Sequence, residues 1–255
     1  MDIELQEKFE ANWINYFGNA ELPLCMWFGD EAEKAHLPER KQHSVCFIGE
    51  LASVRKGNNR CVTKQTIGCG GARRYLGYSE ALKPNFEYFL SCGNEQMQGE
   101  RYVQTPEEAL RWLNRQQFIP IHNRTAYFKR WDKVEAIDNP ELVIFFATPD
   151  VLSGIYTLFN YCNFRDGNIE APFGAGCNSI ITKPYLNTEK AFIGMFDPTA
   201  RKCVTENIIT FSFHFKHMLN LVNAMDNSFL TTKAWGLVRK RLEKQTQFSH
   251  QNQHE

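Results

Sequence analysis

Residues 142–148, LVIFFAT, form an apolar run that ends at Pro149-Asp150. A strand with no polar face belongs at the centre of a sheet, so the fold must be built around this one. Val151, Ile155, Leu158, Phe159 and Cys162 then recur at helical spacing and complete a strand-turn-helix unit.

Other elements follow from the same periodicities. Ile3, Leu5, Phe9, Trp13, Ile14 and Phe17, with Gly18 after them, predict an amphipathic helix over 3–17. Residues 23–28 read as a buried strand in which Cys25 fills space, and the polar stretch 31–43 as an exposed loop. Val45, Ile48, Leu51, Ala52 and Val54 give a helix that stops at Lys56-Gly57 and holds Cys46 in its first turn. A strand is expected over 61–67, a glycine turn over 68–71 and a helix from 72 to 76, then a strand over 86–92. Thr105-Pro106-Glu107-Glu108 opens a helix reaching about 117, because Thr105 can cap, Pro106 suits the first position and Glu108 completes a capping box. Strands follow at 127–134, 191–196 and 207–215, with a loop over 165–174, helices at 216–226 and 229–245, and a disordered tail over 246–255. No repeat or linker divides the chain. The expectation is a single α+β domain over 1–245, with a mixed, largely antiparallel sheet packed against several helices.

Composition narrows the function classes. Lysine plus arginine and aspartate plus glutamate number 29 each, so no long-range field selects nucleic acid or an anionic membrane surface. Arg239-Lys240-Arg241 reads as a solvated helix end. The start MDIELQEKFEANW resembles no secretory signal, and no stretch approaches the ~20 apolar residues of a membrane span. A cytoplasmic setting follows, in which the eight cysteines are reduced and serve as core residues, metal ligands or redox groups. The 20 phenylalanines indicate a bulky core or an apolar pocket.

Chemistry concentrates in RCVTKQTIGCGGARRYLG, residues 60–77. Cys69 lies between Gly68 and Gly70-Gly71, where exposed backbone N–H groups can stabilise a thiolate or the sulfurs of a cluster. Gly174-Ala175-Gly176-Cys177 repeats that arrangement, and Cys46 adds a third thiol at a helix start. Thiolates select soft metals, so Cys46, Cys61, Cys69 and Cys177 are candidate ligands of an iron–sulfur cluster, with zinc as the alternative. Cys92 could take the place of Cys61. The spacing matches neither ferredoxins nor zinc ribbons, and no C-x-x-C occurs. Redox or nucleophilic cysteines without metal, and cysteines that simply fill the core, therefore stay open. Gly68, Gly70, Gly71, Arg73, Gly176 and Arg201 are candidates to hold an anionic substrate or cofactor. His214-x-x-His217 straddles a strand end and is not expected to ligate. The glycine run lacks the G-x-G-x-x-G order of dinucleotide sites. A different class of function, a small-ligand or regulatory module with a Phe-rich pocket, competes with the metal reading. Catalytic residues and the identity of a small-molecule or electron-transfer partner are not legible.

The ordered segments HSVCFIGELASVRKG, TIGCGGARRYLG, TPEEALRWL, PELVIFFATPDVLSGIYTLFNY, GAGCNSIITKPY and SFLTTKAWGLVRKRL resemble the uncharacterised prokaryotic family known as domain of unknown function 169, over residues 20–245. The resemblance implies that Cys46, Cys69 and Cys177 are the recurrent cysteines, with Cys61 and Cys92 matching less closely. It implies no activity.

Overall fold

The computed structural model describes residues 1–30 and 46–251, with side chains as far as Lys244. Its elements are α1 (Ile3–Phe17), β1 (Leu24–Gly29), α2 (Phe47–Arg55), β2 (Arg60–Val62), α3 (Gly70–Tyr75), α4 (Phe86–Leu90), β3 (Gly93–Asn94), β4 (Met97–Gln98), α5 (Pro106–Asn114), β5 (Thr125–Arg130), β6 (Leu142–Ala147), α6 (Pro149–Cys162), β7 (Ile169–Glu170), α7 (Lys183–Leu186), β8 (Ala191–Gly194), α8 (Pro198–Arg201), β9 (Ile209–His214), α9 (Met218–Ala224) and α10 (Lys233–Gln251). The expected loop over 31–43 lies outside the described residues.

Seven strands form one sheet in the order β2-β5-β1-β6-β9-β8-β7, antiparallel except for the β7·β8 pair. The apolar strand β6 is its middle member and is buried at all six positions. Alternation along the strands sorts side chains into two cores. Cys25, Trp27, Val143, Phe145, Phe211 and Phe213 face α1, α6, α9 and α10. Leu24, Met26, Ile144, Phe146 and Phe128 face α2, α3 and the helical stretch 176–186. Helices on both faces explain how an antiparallel strand can lack a polar side.

Local chemistry sets the ends of elements. The Asp2 carboxylate accepts from Glu4 N at 2.9 Å and caps α1, and the Thr105 hydroxyl accepts from Glu108 N at 3.2 Å and caps α5. Several expected boundaries differ. The strand from Cys61 stops at Val62, because the Thr66 hydroxyl accepts Thr63 N at 2.9 Å and folds 63–66 into a turn. The strand after Thr125 ends at Arg130, and Trp131–Lys133 is a 3-10 turn. The strand expected over 86–92 is instead the helix α4. Asn85 enters it with a left-handed φ of 60°, and Leu90 packs on Ala109 and Leu113 of α5. A short apolar run is equally consistent with either element, and here it found a helical partner and no sheet edge. The 165–174 loop contributes β7, and α10 is helical through Gln251.

Buried histidines give the fold a pH dependence. Burial holds His217, His214 and His122 below the usual histidine value, and Lys216 presses further on the first two, as Arg124 does on His122. His217 lies against the rings of Phe159 and Phe213, and its Nε2 meets Thr188 O at 2.8 Å. Arg165 also lowers it, while the Thr188 carbonyl and Glu189 raise it. A group whose folded pKa is depressed stabilises the fold above its unfolded pKa and loses that contribution as pH falls through the folded one. The urea midpoint is expected to be level above about pH 7 and to fall below about 6.5. His217→Gln should reduce the slope; an unchanged slope would exclude His217 as a source.

Candidate functional site

Four cysteines from four separate segments meet under the second face of the sheet. Cys46 is the N-cap of α2 and Cys69 the N-cap of α3. Cys177 lies in the first turn of the helical stretch 176–186, and Cys203 in the turn after α8. All four belong to or pack against the same core. The backbones converge at Gly176, where a Cβ would stand 3.2 Å from Ile48 Cγ1 and 3.1 Å from Ala200 Cβ. Ile48 follows Cys46 by two residues and Ala200 precedes Cys203 by three, so the close approach draws three of the cysteine segments together. Cys203 and Cys69 both lie near enough to Cys46 to raise its thiol, and the Cys203 thiol itself donates to Thr199 O at 4.0 Å. Cys177 in turn feels Cys69 and Cys46.

What shapes Cys177 is the widened turn that follows it. Residues Asn178–Thr182 adopt π geometry and are buried throughout. Their spare polar groups are met by side chains: Ser179 Oγ donates to Gly176 O at 2.9 Å, Ser212 Oγ to Ser179 O at 2.8 Å and Thr182 Oγ1 to Tyr75 O at 2.7 Å. Such bulges are frequent at functional sites.

Burial pushes the Cys46 thiol up to about 11; the Ile48 N–H opposes this, and Cys203 and Cys69 add to it. Cys177 is raised well above the ordinary thiol value by burial first, then by Cys69, Cys46 and Asp197. Without metal both are therefore protonated at neutral pH, which argues against either as an activated nucleophile. A coordinated cation reverses this logic by deprotonating its thiols outright.

Asp197 and two tyrosines border the cluster. Asp197 Oδ1 accepts from Thr199 N at 2.9 Å, Thr199 Oγ1 at 2.7 Å and Tyr102 Oη at 3.1 Å. Burial pushes Tyr75 up to about 12, and Cys177 adds to it. Tyr102 and Trp112 set their rings against Phe173, at 5.8 and 6.3 Å, just before the Gly174–Cys177 segment.

The remaining sequence candidates fall into three groups. Gly68, Gly70 and Gly71 are exposed and none has a positive φ, so they serve no special backbone conformation. They leave space: a Cβ at Gly70 would meet nothing within 4 Å and one at Gly71 only Cys69 Sγ at 3.9 Å. The cluster thus adjoins solvent at this turn. The two arginines hold their own loops. Arg73 donates to Ile67 O at 2.9 Å, and Arg201 to the carbonyls of Ile208, Glu206 and Thr205. Cys61, finally, is separated from the other thiols by the sheet. It packs with the first core, on the face that Cys25 shares, because the strand period of two directs Cys61 and Val62 to opposite sides. Cys92 is exposed beside the β3-β4 hairpin.

Cys203 is the ligand-type residue that sequence reading missed. No motif surrounds it. The available signal was its place just past Asp197-Pro198-Thr199-Ala200-Arg201, a strand-exit segment of the kind that carries function.

Of the phenylalanines, Phe9, Phe17, Phe145, Phe159, Phe211 and Phe213 pack in the first core, whereas Phe164, Phe173 and Phe196 are exposed. A void in the first core, lined by Phe9, Trp13, Phe145 and Phe213 among others, measures about 20 Å³, room for a single water. No disulfide joins any of the eight cysteines, all of which lie among the described residues. Among the described residues, no group of three or more His, Cys, Asp or Glu side chains could hold a metal ion as it stands, and no helix is long and apolar enough to cross a membrane.

A seven-stranded, mostly antiparallel mixed sheet between two helical layers defines a single-domain α+β protein. The chain belongs to the domain-of-unknown-function 169 (DUF169) family, described as uncharacterised ArCR, whose sequence profile matches residues 15–224. No curated protein and no solved structure matches it.

Proposed function

We propose that Cys46, Cys69, Cys177 and Cys203 hold a soft metal centre, an iron–sulfur cluster first and zinc second, with which the protein carries out redox or metal-dependent chemistry in the cytoplasm. The observation that carries this reading is the convergence of four thiols from distant parts of the chain, each next to the start or end of a short helix. Four cysteines are the usual complement of a cubane cluster and of a structural zinc site. Relative to the thiols as they stand, ligation requires the sulfurs to draw closer. The open Gly68–Gly71 turn permits that at Cys69 with little steric cost. The same turn is where a small molecule or an electron-transfer partner would approach.

Anaerobic purification, followed by iron, sulfide and zinc analysis and a visible spectrum, tests the reading. The expected result is a bound metal that is lost in Cys203→Ser and Cys69→Ser and retained in Cys61→Ser and Cys92→Ser. Folded, colourless protein that takes up neither iron with sulfide nor zinc on reconstitution would refute it.

A further inference from the structure

We propose that the cleft where β6 gives way to α6 binds the phosphoryl group of a small phosphorylated metabolite. Its walls come from the start of α6, the entry to β9 and the side of α10. It needs no metal and none of the four cysteines.

The antiparallel register makes the place. Ala147, the last residue of β6, pairs with Ile209, the first of β9, so Thr148-Pro149 and Asn207-Ile208 lie opposite one another just beyond the end of the ladder. There the chain turns into α6 and leaves a cleft of about 460 Å³, lined by Thr148, Pro149, Asp150, Asn207 and Arg241. That volume suits a small organic ligand.

The cleft is rich in hydrogen-bond donors that lack an acceptor. α6 is 14 residues long, and its first N–H groups have no acceptor within the helix. An N-cap threonine ordinarily accepts one of them through its side chain. Thr148 does not. Its hydroxyl oxygen is buried and has no hydrogen-bond partner, although its carbonyl accepts Leu152 N at 2.8 Å. The Asn207 side-chain carbonyl accepts the Thr205 hydroxyl at 3.2 Å, which leaves the Asn207 NH2 without an acceptor among the described residues. Asp150 supplies the one carboxylate of the lining, and Arg241 neutralises it: Nε donates to Oδ2 at 2.7 Å, and Nη2 to Oδ1. That fork engages one edge of the guanidinium. Nη1 keeps both its protons for another acceptor, on a side chain that is largely exposed.

An oxyanion answers all of these groups at once, and the positive end of the α6 dipole adds to its attraction. The donors come from three separate elements rather than from one planar fork, which fits a tetrahedral phosphoryl group better than a flat carboxylate.

The test uses the full chain at constant ionic strength, with inorganic phosphate and glycerol 3-phosphate as probes and acetate and chloride as controls. Both probes should raise the thermal midpoint saturably, and equilibrium dialysis should find one phosphate per chain. Glycerol 3-phosphate should bind more tightly than inorganic phosphate, because the cleft has room for the attached group. Thr148→Val, which keeps the shape and removes the hydroxyl, and Arg241→Gln should each weaken binding about tenfold, the loss of one charge-assisted hydrogen bond. Asp150→Asn should tighten it, because the cleft loses its carboxylate and Arg241 is released. Arg165→Gln, beyond the far end of α6, should leave it unchanged. Absence of saturable stabilisation by either probe would overturn the proposal. So would acetate binding as tightly as phosphate, or phosphate binding that survives both Thr148→Val and Arg241→Gln. Tighter binding of inorganic phosphate than of glycerol 3-phosphate would overturn the assignment to an organic phosphate.

Discussion

Gly194→Ala is expected to lower stability by about 2–3 kcal/mol and to expose Cys177 to alkylation. Gly194 ends β8, directly beneath the π segment. A Cβ there would lie 2.5 Å from Ser179 Cβ and 2.9 Å from Thr210 Oγ1, closer than packed atoms approach. Ser179 cannot simply rotate away, because its hydroxyl donates to Gly176 O and its carbonyl accepts from Ser212. The stretch 176–186 must therefore lift from β8 and β9, carrying Cys177 with it. Urea denaturation gives the stability change, and iodoacetamide labelling read by mass spectrometry gives the exposure of Cys177, which is slow to react in the wild type because it is buried. An unchanged midpoint together with continued protection would show that the segment is not held down by this contact.

The second large effect belongs to the opposite core. Trp131→Ala is expected to cost about 3–5 kcal/mol, and below the unfolding transition it should leave Cys177 labelling unchanged. Trp131 is fully buried, with its ring 4.5 Å from that of Phe9 and 6.0 Å from that of Phe215. Its indole N–H donates to Gln6 O at 3.3 Å, and the Gln6 amide donates back to Trp131 O at 2.7 Å and Val134 O at 3.0 Å. Removing the ring leaves a large cavity between α1 and the sheet and takes away the indole hydrogen bond to Gln6 O. Because the sheet separates this knot from the thiols, the variant should lose stability without selective exposure of Cys177. If Cys177 became reactive under native conditions in Trp131→Ala as it does in Gly194→Ala, the two faces would not be independent in the way the packing implies.

The sheet was legible where burial and alternation agreed. LVIFFAT indicates a central strand and β6 is one, and Ile209, Phe211 and Phe213 alternate as β9 does. Caps were legible at Thr105 because the side-chain chemistry is local. The helix α4 was not, since five residues cannot distinguish a period of two from one of 3.6 and the decision fell to α5. Cys46, Cys69 and Cys177, singled out by their glycines and helix starts, all belong to or pack against one core. Cys61 was included because the face that a strand side chain takes depends on register, which the residues around it do not encode, and Cys203 was omitted because it sits in a turn after a short helix with no motif around it. Nor could the sequence separate the glycine that packs, Gly176, from the glycines that leave space, Gly70 and Gly71.

The strand order also fixes when the thiols can meet. β8 hydrogen-bonds only to β7 and β9 within the sheet, and β9 alone joins that half to β6. On a ribosome emitting the chain from its N-terminus, the segment carrying Cys177 has no finished floor until His214 has emerged. Cys46 and Cys69 are by then long outside the exit tunnel, waiting as unpaired thiols on a half-built layer. The proposed metal would therefore meet an incomplete set of ligands during synthesis, and a nascent chain stalled before residue 209 should bind none.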